Sequence, residues 1–376
     1  VTTAGILAAV FTGLLLAHYV LYPLALSAMS ALWRGGTRPR CASPPRISVL
    51  ISARNEEAHI AARLDNLLSQ GWQGGLQILV GSDASTDGTD DVVRSYADRG
   101  VTLVRAPERS GKPRMLQELV RSADGDVLVF TDADTHFAPG TLEELAAPFS
   151  DPGVGCVDGA RVNSLDCETC ESTYWRYERW IKRLCSRVGI VLGATGAVFA
   201  LRRSAFQPLA PDRADDFELA VMARIMGFRC VFAPRALALE PSPDDSRQYR
   251  RMVRIVSWMS GSALRLGAAA LRRGRPGVLL QLVLHKWLRW LSGFFLVGAT
   301  VSAALATDGP ALTALAVLLG VFHLLALAGL ATKGRLPGPL AFPWYFWLMN
   351  WASMTGIVRM IAGRPVEVWD SRPASG

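Results

Sequence analysis

An α/β domain on a mainly parallel sheet, flanked by apolar helical segments at both ends, is the fold class that three observations predict. Long apolar runs stand near the two ends of the chain, and strand-like and helix-like stretches alternate between them. Several of the strand-like runs also close in a polar, acid-bearing turn. Such alternation argues for parallel strands joined by crossover helices, and ligands of these sheets bind just beyond the carboxyl ends of the strands. With 376 residues, 50% hydrophobic and 19% charged, there is material for one sizeable core and a membrane portion. The formal net charge of +8 needs only arginines beside membrane segments or phosphates. No basic stripe interleaved with aromatics occurs, so nucleic acid is not an expected partner.

From Ala4 to Leu32 there is no Lys, Arg, Asp or Glu, and about 20 apolar residues span a bilayer. Residues 1–33 are therefore expected to be an anchor; a signal peptide is the competing reading, but its basic start is missing. Arg34, Arg38, Arg40 and Arg46 follow, which places the next segment in the cytoplasm. That segment, 44–245, holds the β-rich runs Ile47 to Ser52, Leu76 to Gly81, Val101 to Val104 and Asp126 to Thr131. In residues 246–275, Arg247, Arg250, Arg251 and Arg254 interleave with Ile255, Val256, Trp258 and Met259, which suits an amphipathic helix on a headgroup layer. Region 276–364 should supply two to three spans: Leu279 to Ala306, Ala311 to Ala331, and the Trp-rich Leu340 to Ala362, which is either a last span or an interfacial belt. The short turn at Thr307-Asp308-Gly309-Pro310 should face outside, whereas Lys333, Arg335, Arg359 and Arg364 leave the side of the 365–376 tail open. A multi-pass protein of the plasma (inner) membrane is expected, its middle domain cytoplasmic.

Chemistry concentrates at the strand ends. Val127-Leu128-Val129-Phe130-Thr131-Asp132-Ala133-Asp134 is an apolar run closing in two acids one residue apart. Side chains two apart on extended backbone point the same way, so Asp132 and Asp134 can converge on one divalent cation; a capped turn is the plainer alternative. The first strand leads into Arg54-Asn55-Glu56-Glu57 and the second into Ser82-Asp83-Ala84-Ser85-Thr86-Asp87-Gly88-Thr89. Asp83 could accept from a base or ribose while Ser85, Thr86 and Asp87 cap the next helix. Neither a Gly-x-Gly-x-x-Gly loop nor a P-loop follows the first strand, which disfavours nicotinamide and P-loop chemistry. Cys167 and Cys170 have a metal-pair gap but no partner pair, so structural or incidental thiols are expected.

With Gly111-Lys112-Pro113 and Asp215-Asp216-Phe217-Glu218-Leu219 added in order, the middle domain resembles membrane-bound family 2 glycosyltransferases, a group that includes cellulose and hyaluronan synthase-like and exopolysaccharide enzymes. The resemblance implies the GT-A nucleotide-diphospho-sugar transferase fold. It implies donor contacts at Asn55, Glu57, Asp83, Lys112, Asp132 and Asp134, with Mg or Mn held by Asp134 and Asp132. It further implies a general base at Asp216, with Asp215 and Gly196, the latter in Gly193-Ala194-Thr195-Gly196-Ala197, on the acceptor side. A helix cap is the structural alternative for Asp215 or Asp216. Gln248 and Arg251 match the spacing of the family's Gln-x-x-Arg-Trp motif as donor contacts, but Met252 replaces the tryptophan, which weakens the case for a processive polymerase.

The function implied is an inverting, metal-dependent transfer of a hexose-type sugar from a nucleotide-diphosphate sugar, with UDP the expected nucleotide, to a lipid-linked or growing glycan acceptor at the membrane. An oligomer or export partner could supply further spans. A processive exopolysaccharide synthase is one alternative. A nucleotidyltransferase and an inactive sugar-nucleotide-binding membrane protein are alternatives of another class.

Overall fold

The computed structural model describes residues 2–33, 44–162, 170–210, 213–239, 245–306, 309–332 and 336–363. Cys167, Asp308, the basic residues Arg34, Arg38, Arg40, Lys333 and Arg335, and the tail from 364 lie outside the described residues.

Eight strands form one mixed sheet: β1 (Ile47–Ala53), β2 (Leu76–Ser82), β3 (Val101–Arg105), β4 (Val127–Thr131), β5 (His136–Phe137), β6 (Val154–Val162), β7 (Phe199–Arg202) and β8 (Arg229–Leu239). Their order is β3-β2-β1-β4-β7-β6-β8-β5. β1 runs parallel to β2 and β4, β2 to β3, and β6 to β8. β7 is antiparallel to both β4 and β6, and β5 to β8. The four early strands are those the apolar runs mark out. Every residue of β1 and β4 is buried, as expected of central strands covered on both faces. Register pairs Ala53 with Ser82 and Ile51 with Thr131, so the loops that follow β1, β2 and β4 open along one edge.

Helices of the domain are α2 (Glu57–Leu68), α3 (Thr89–Arg94), α4 (Lys112–Ser122), α5 (Thr141–Ala146), α6 (Cys170–Val188) and α7 (Asp215–Ile225). They follow α1 (Thr3–Leu32), which contains a π-helical turn at Ala17–Leu21. After the sheet come α8 (Asp245–Arg272), α9 (Pro276–Leu305), α10 (Pro310–Ala331) and α11 (Phe342–Ile361). α9 also has a π-helical stretch, Leu282–Trp287.

Three helices among the described residues are long and apolar enough to cross a membrane: α1, α9 and α10. The Trp-rich segment is α11, which is not among those three and packs against α8, α9 and α10.

Apolar clusters cover the two faces of the sheet. A third cluster joins Phe217, Val221 and Ile225 of α7 to Val256, Ala263 and Leu266 of α8, Leu282 and Trp290 of α9, and Ile357 of α11. The helix that begins with Asp215 and Asp216 is thus packed onto α8, α11 and the apolar helix α9. Burial of this kind stabilises by about 25 cal/mol per Å² of apolar surface.

Candidate active site

The loops after β1 and β2 are tied to each other. Asn55 Oδ1 accepts from Thr86 N at 2.9 Å, and Glu57 Oε2 accepts from Gly88 N at 2.9 Å. In return, Glu57 N donates to Asp87 Oδ2 at 3.2 Å and Asn55 N to Ser85 Oγ at 3.2 Å. Asn55 and Glu57, expected at the donor, use these side-chain oxygens to tie the two short loops together by satisfying backbone N–H groups. Asp87 caps Thr89 at 3.1 Å as the sequence suggests. Asp83 takes Ser110 N at 2.6 Å, Ser110 Oγ at 3.0 Å and Gly111 N at 3.0 Å. Its carboxylate therefore fastens the β3–α4 loop, with about one lone-pair site left for a base or ribose.

The turn at Asn55 also sets the two glutamates to different uses. Asn55 has φ +53°, a left-handed conformation that Asn tolerates better than most residues. Glu57 is thereby given to Gly88, and Glu56 meets His59 Nδ1 at 3.1 Å. Burial, together with the nearby Asp134 and Asp132, pushes the Glu56 carboxyl up, while its hydrogen bond with His59 works the other way. Glu56 is a candidate site residue that the sequence reading passed over. The doubled acid of Asn-Glu-Glu was its only signal.

Lys112, at the start of α4, bridges the two acidic motifs. Its Nζ lies 2.7 Å from Asp132 Oδ1 and 3.6 Å from Asp215 Oδ2. Burial opposes its charge, yet the two carboxylates outweigh that and hold the ammonium protonated well above the usual lysine range. Behind Asp132 and Asp134 the fully buried Arg63 donates to Asn66 Oδ1 at 2.7 Å and Thr131 Oγ1 at 2.8 Å. Its guanidinium lies 4.1 Å from the centre of the Phe137 ring. Burial pushes it down to about 9, and the charges of Asp132 and Asp134 act against that. Thr131 passes the connection on by donating to Ala197 O at 2.8 Å, so the end of β4 and the Gly193–Ala197 loop are held together.

Across that loop stands Asp216. Burial and then the neighbouring Asp215 raise its carboxyl to about 7, against the pull of Lys112. Gly196 leaves room for it, since a Cβ there would sit 3.2 Å from Asp216 Oδ2. Gly193 adopts φ +101°, which favours glycine. The alternative of a helix cap is not met by Asp215: residue 214, an alanine, is the cap and offers no side-chain bond, and Asp215 Oδ2 has no hydrogen bond. Asp216 Oδ1 instead accepts from Phe217 N at 2.7 Å.

α8 closes one side of the site. Gln248 is buried with Oε1 lacking a hydrogen bond. Arg254, expected at headgroups, is half-buried: burial and the adjacent Arg251 lower its guanidinium, and Asp132 supports its charge. One further helical turn carries Arg251 to Arg254, and that periodicity was the available clue.

Residues 48–209 match the family model described as Glycosyl transferase family 2. The chain is 27% identical over 228 residues to an N-acetylglucosaminyltransferase of Bradyrhizobium diazoefficiens, covering 55% of this chain and 47% of that protein. It is 26% identical over 306 residues to an N-acetylglucosaminyltransferase of Rhizobium meliloti, covering 76% and 67%. It spans about half the length of most of the curated relatives it matches. Among solved structures, the mannosyltransferase PcManGT from Pyrobaculum calidifontis, in complex with GDP-Man and Mn2+, is similar with a TM-score of 0.71 and 24% identity. That likeness covers 95% of this chain and 99% of the other, and it establishes the GT-A-like fold.

Proposed function

This chain is a member of glycosyltransferase family 2, and from that premise we propose that it moves a hexose-type sugar from a nucleotide-diphosphate sugar to an acceptor held at the membrane, inverting the anomeric carbon. The observation that carries the reading is Asp216: a carboxyl raised to about 7, set against the glycine loop and linked through Asp215 and Lys112 to Asp132. A general base works best with a pKa near the operating pH. Asp216 takes the acceptor hydroxyl proton, the oxygen attacks the anomeric carbon, and the bond to the nucleotide diphosphate breaks on the opposite face. No nucleophilic side chain is needed for a single displacement.

A divalent cation fits the residues present. Asp132 and Asp134 offer hard oxygen donors of the kind Mg and Mn prefer. Among the described residues no three His, Cys, Asp or Glu form a closed metal cluster, so Asp134 and Asp132 would supply part of the coordination and the donor diphosphate the remainder. When bound, the ion neutralises charge on the leaving group. Arg251 and Arg254 add positive charge on the same side, and guanidinium suits phosphate oxygens.

The described helices support an organisation of 1–33 as anchor, 44–245 as the catalytic domain, 246–275 as an amphipathic interfacial helix and 276–364 as the membrane region, and the arginines that follow the anchor argue for a cytoplasmic catalytic domain. Because the curated relatives named above are N-acetylglucosaminyltransferases, UDP-N-acetylglucosamine is the first donor to test. Purified full-length chain, incubated with Mn and a panel of nucleotide sugars with and without membrane lipid extract, should release nucleoside diphosphate from one donor preferentially. Release should rise with the extract. Pyrophosphate release from a sugar phosphate and nucleoside triphosphate would point to a nucleotidyltransferase instead, and no turnover with any donor would sink the proposal.

A further inference from the structure

Two basic residues lie inside a helix apolar enough to cross a membrane: Lys286 and Arg289 of α9. Ionisable side chains in such segments are costly and tend to mark functional paths. Arg289 is accounted for by an ion pair with Glu178 of α6 at 2.6 Å. Lys182, one helical turn along α6, pairs with Asp158 Oδ2 at 2.6 Å and donates to Thr195 Oγ1 at 3.1 Å. Lys286 differs from both. No carboxylate among the described residues comes within 4.0 Å of its ammonium, which sits 5.6 Å from the centre of the Phe217 ring and 3.8 Å from where a Cβ on Gly193 would stand.

The backbone is built to aim it there. Lys286 falls in the π-helical stretch Leu282–Trp287, and such widened turns recur at functional sites. The turn is braced from α1, where His18 Nδ1 meets Leu284 O at 2.9 Å. A carbonyl oxygen only accepts, so Nδ1 carries the proton. Tyr22 Oη, 3.0 Å from His285 Nδ1, adds a second brace. Around Lys286 the charged groups are Glu178, Lys182, Asp216 and Asp158. Lys182 and Arg289 thus each have a carboxylate of their own, Asp158 and Glu178, whereas Lys286 is left facing the glycine loop.

We propose that Lys286, with Lys182 behind Thr195, forms an acceptor-side anion subsite that holds the phosphate of a lipid-linked acceptor, leaving the acceptor's attacking oxygen beside Asp216. The inference rests on the glycosyltransferase reading of the site and names the acceptor's chemical class. A compact ammonium is suited to phosphate as a point charge. Its place on a membrane-side helix, on the face of the glycine loop next to Asp216, selects a phosphate that arrives on a lipid over one free in solution.

The test uses full-length protein in phosphatidylcholine nanodiscs, titrated with farnesyl phosphate, farnesol or inorganic phosphate and followed by tryptophan fluorescence, since Trp287 and Trp290 flank the subsite. Wild-type protein should bind farnesyl phosphate about tenfold or more tighter than farnesol. Lys286→Met should collapse that preference to about threefold or less, and Lys286→Arg should retain most of it. Equal binding of the two lipids by wild type, a comparison that needs no variant, overturns the proposal. So does an undiminished preference in Lys286→Met, and inorganic phosphate binding as tightly as farnesyl phosphate overturns the lipid source. UDP-N-acetylglucosamine and GDP-mannose binding by the same wild-type sample, with Mn, reports separately on the donor site. Failure there counts against the glycosyltransferase reading, and failure confined to the lipids counts against this subsite alone.

Discussion

The two halves of the site edge are satisfied in opposite ways. Loops after β1 and β2 are closed on themselves: Asn55, Glu57, Asp83 and Asp87 all accept from backbone N–H groups between 2.6 and 3.2 Å away. At the end of β4 and the start of α7 charge does more of the holding, although Asp216 Oδ1 also accepts from Phe217 N at 2.7 Å. Lys112 sits between Asp132 and Asp215, Asp215 Oδ2 lacks a hydrogen bond, and Asp216 is raised to about 7. Acids that accept backbone N–H groups build loops. Acids crowded together with few donors keep titration and ligand capacity in reserve. Substitutions in the first half should therefore act on stability and those in the second on chemistry.

The largest effect is expected at Asp216. Asp216→Asn keeps the shape beside Gly196 and removes the base, so transfer should fall by about 10²–10⁴, with nucleotide-sugar binding nearly intact by calorimetry. The pH dependence gives the sign. Activity needs the ionised form, and a carboxyl raised to about 7 makes kcat/KM climb as pH rises through about 7 rather than about 4. Retained turnover in Asp216→Asn, or a limb near pH 4, would place the base elsewhere.

Next comes Asp134. Asp134→Ala should weaken Mn-dependent donor binding by about tenfold or more, and an unchanged Mn titration would remove it from the metal. Glu56→Gln sharpens the comparison, since the Glu56 carboxyl feels the charges of Asp134 and Asp132 whereas Glu57 is taken up by Gly88 N. Its effect should appear in the Mn titration, and Glu57→Gln should leave that titration in place.

How much of this was legible follows the same division. Central strands announce themselves as unbroken apolar runs, and β1, β2, β3 and β4 lie where those runs stand. The uncharged stretches likewise mark α1 and α10. Later strands were not delimited, because β7 enters the sheet antiparallel between β4 and β6, a pairing that no local pattern encodes. Within the site, the acid pairs could be read from spacing, but the separate uses of Glu56 and Glu57 depend on one left-handed residue, Asn55. Lys286 and Arg289 were absorbed into an apolar segment, because average hydropathy conceals two charges whose partners lie far away in sequence.

On the stability side, Asn55→Ala should cost about 1–3 kcal/mol, from the lost bond to Thr86 N and from an alanine forced into a left-handed conformation. Asn55→Gly should restore the backbone part only. Thermal unfolding of the detergent-solubilised chain reads both. Loss of donor binding without any fall in Tm would break the comparison, since it would put Asn55 at the ligand.

The smallest expected effect tests whether the closed half is under strain. Ala84 has φ +53°, and a left-handed conformation costs an L-residue with a Cβ roughly 1–2 kcal/mol. Ala84→Gly relieves that, but the freer unfolded chain takes back about 0.4–1 kcal/mol. The net gain should thus stay below about 1 kcal/mol, a small rise in Tm. Donor affinity decides what the strain does. If Ala84 merely joins Asp83 to Ser85, Ala84→Gly binds nucleotide sugar as the parent does, and the loop is architecture. If affinity falls while Tm rises, the alanine is holding Asp83 in a binding geometry that glycine lets go, and the division between a building half and a reacting half would have to be redrawn through that loop.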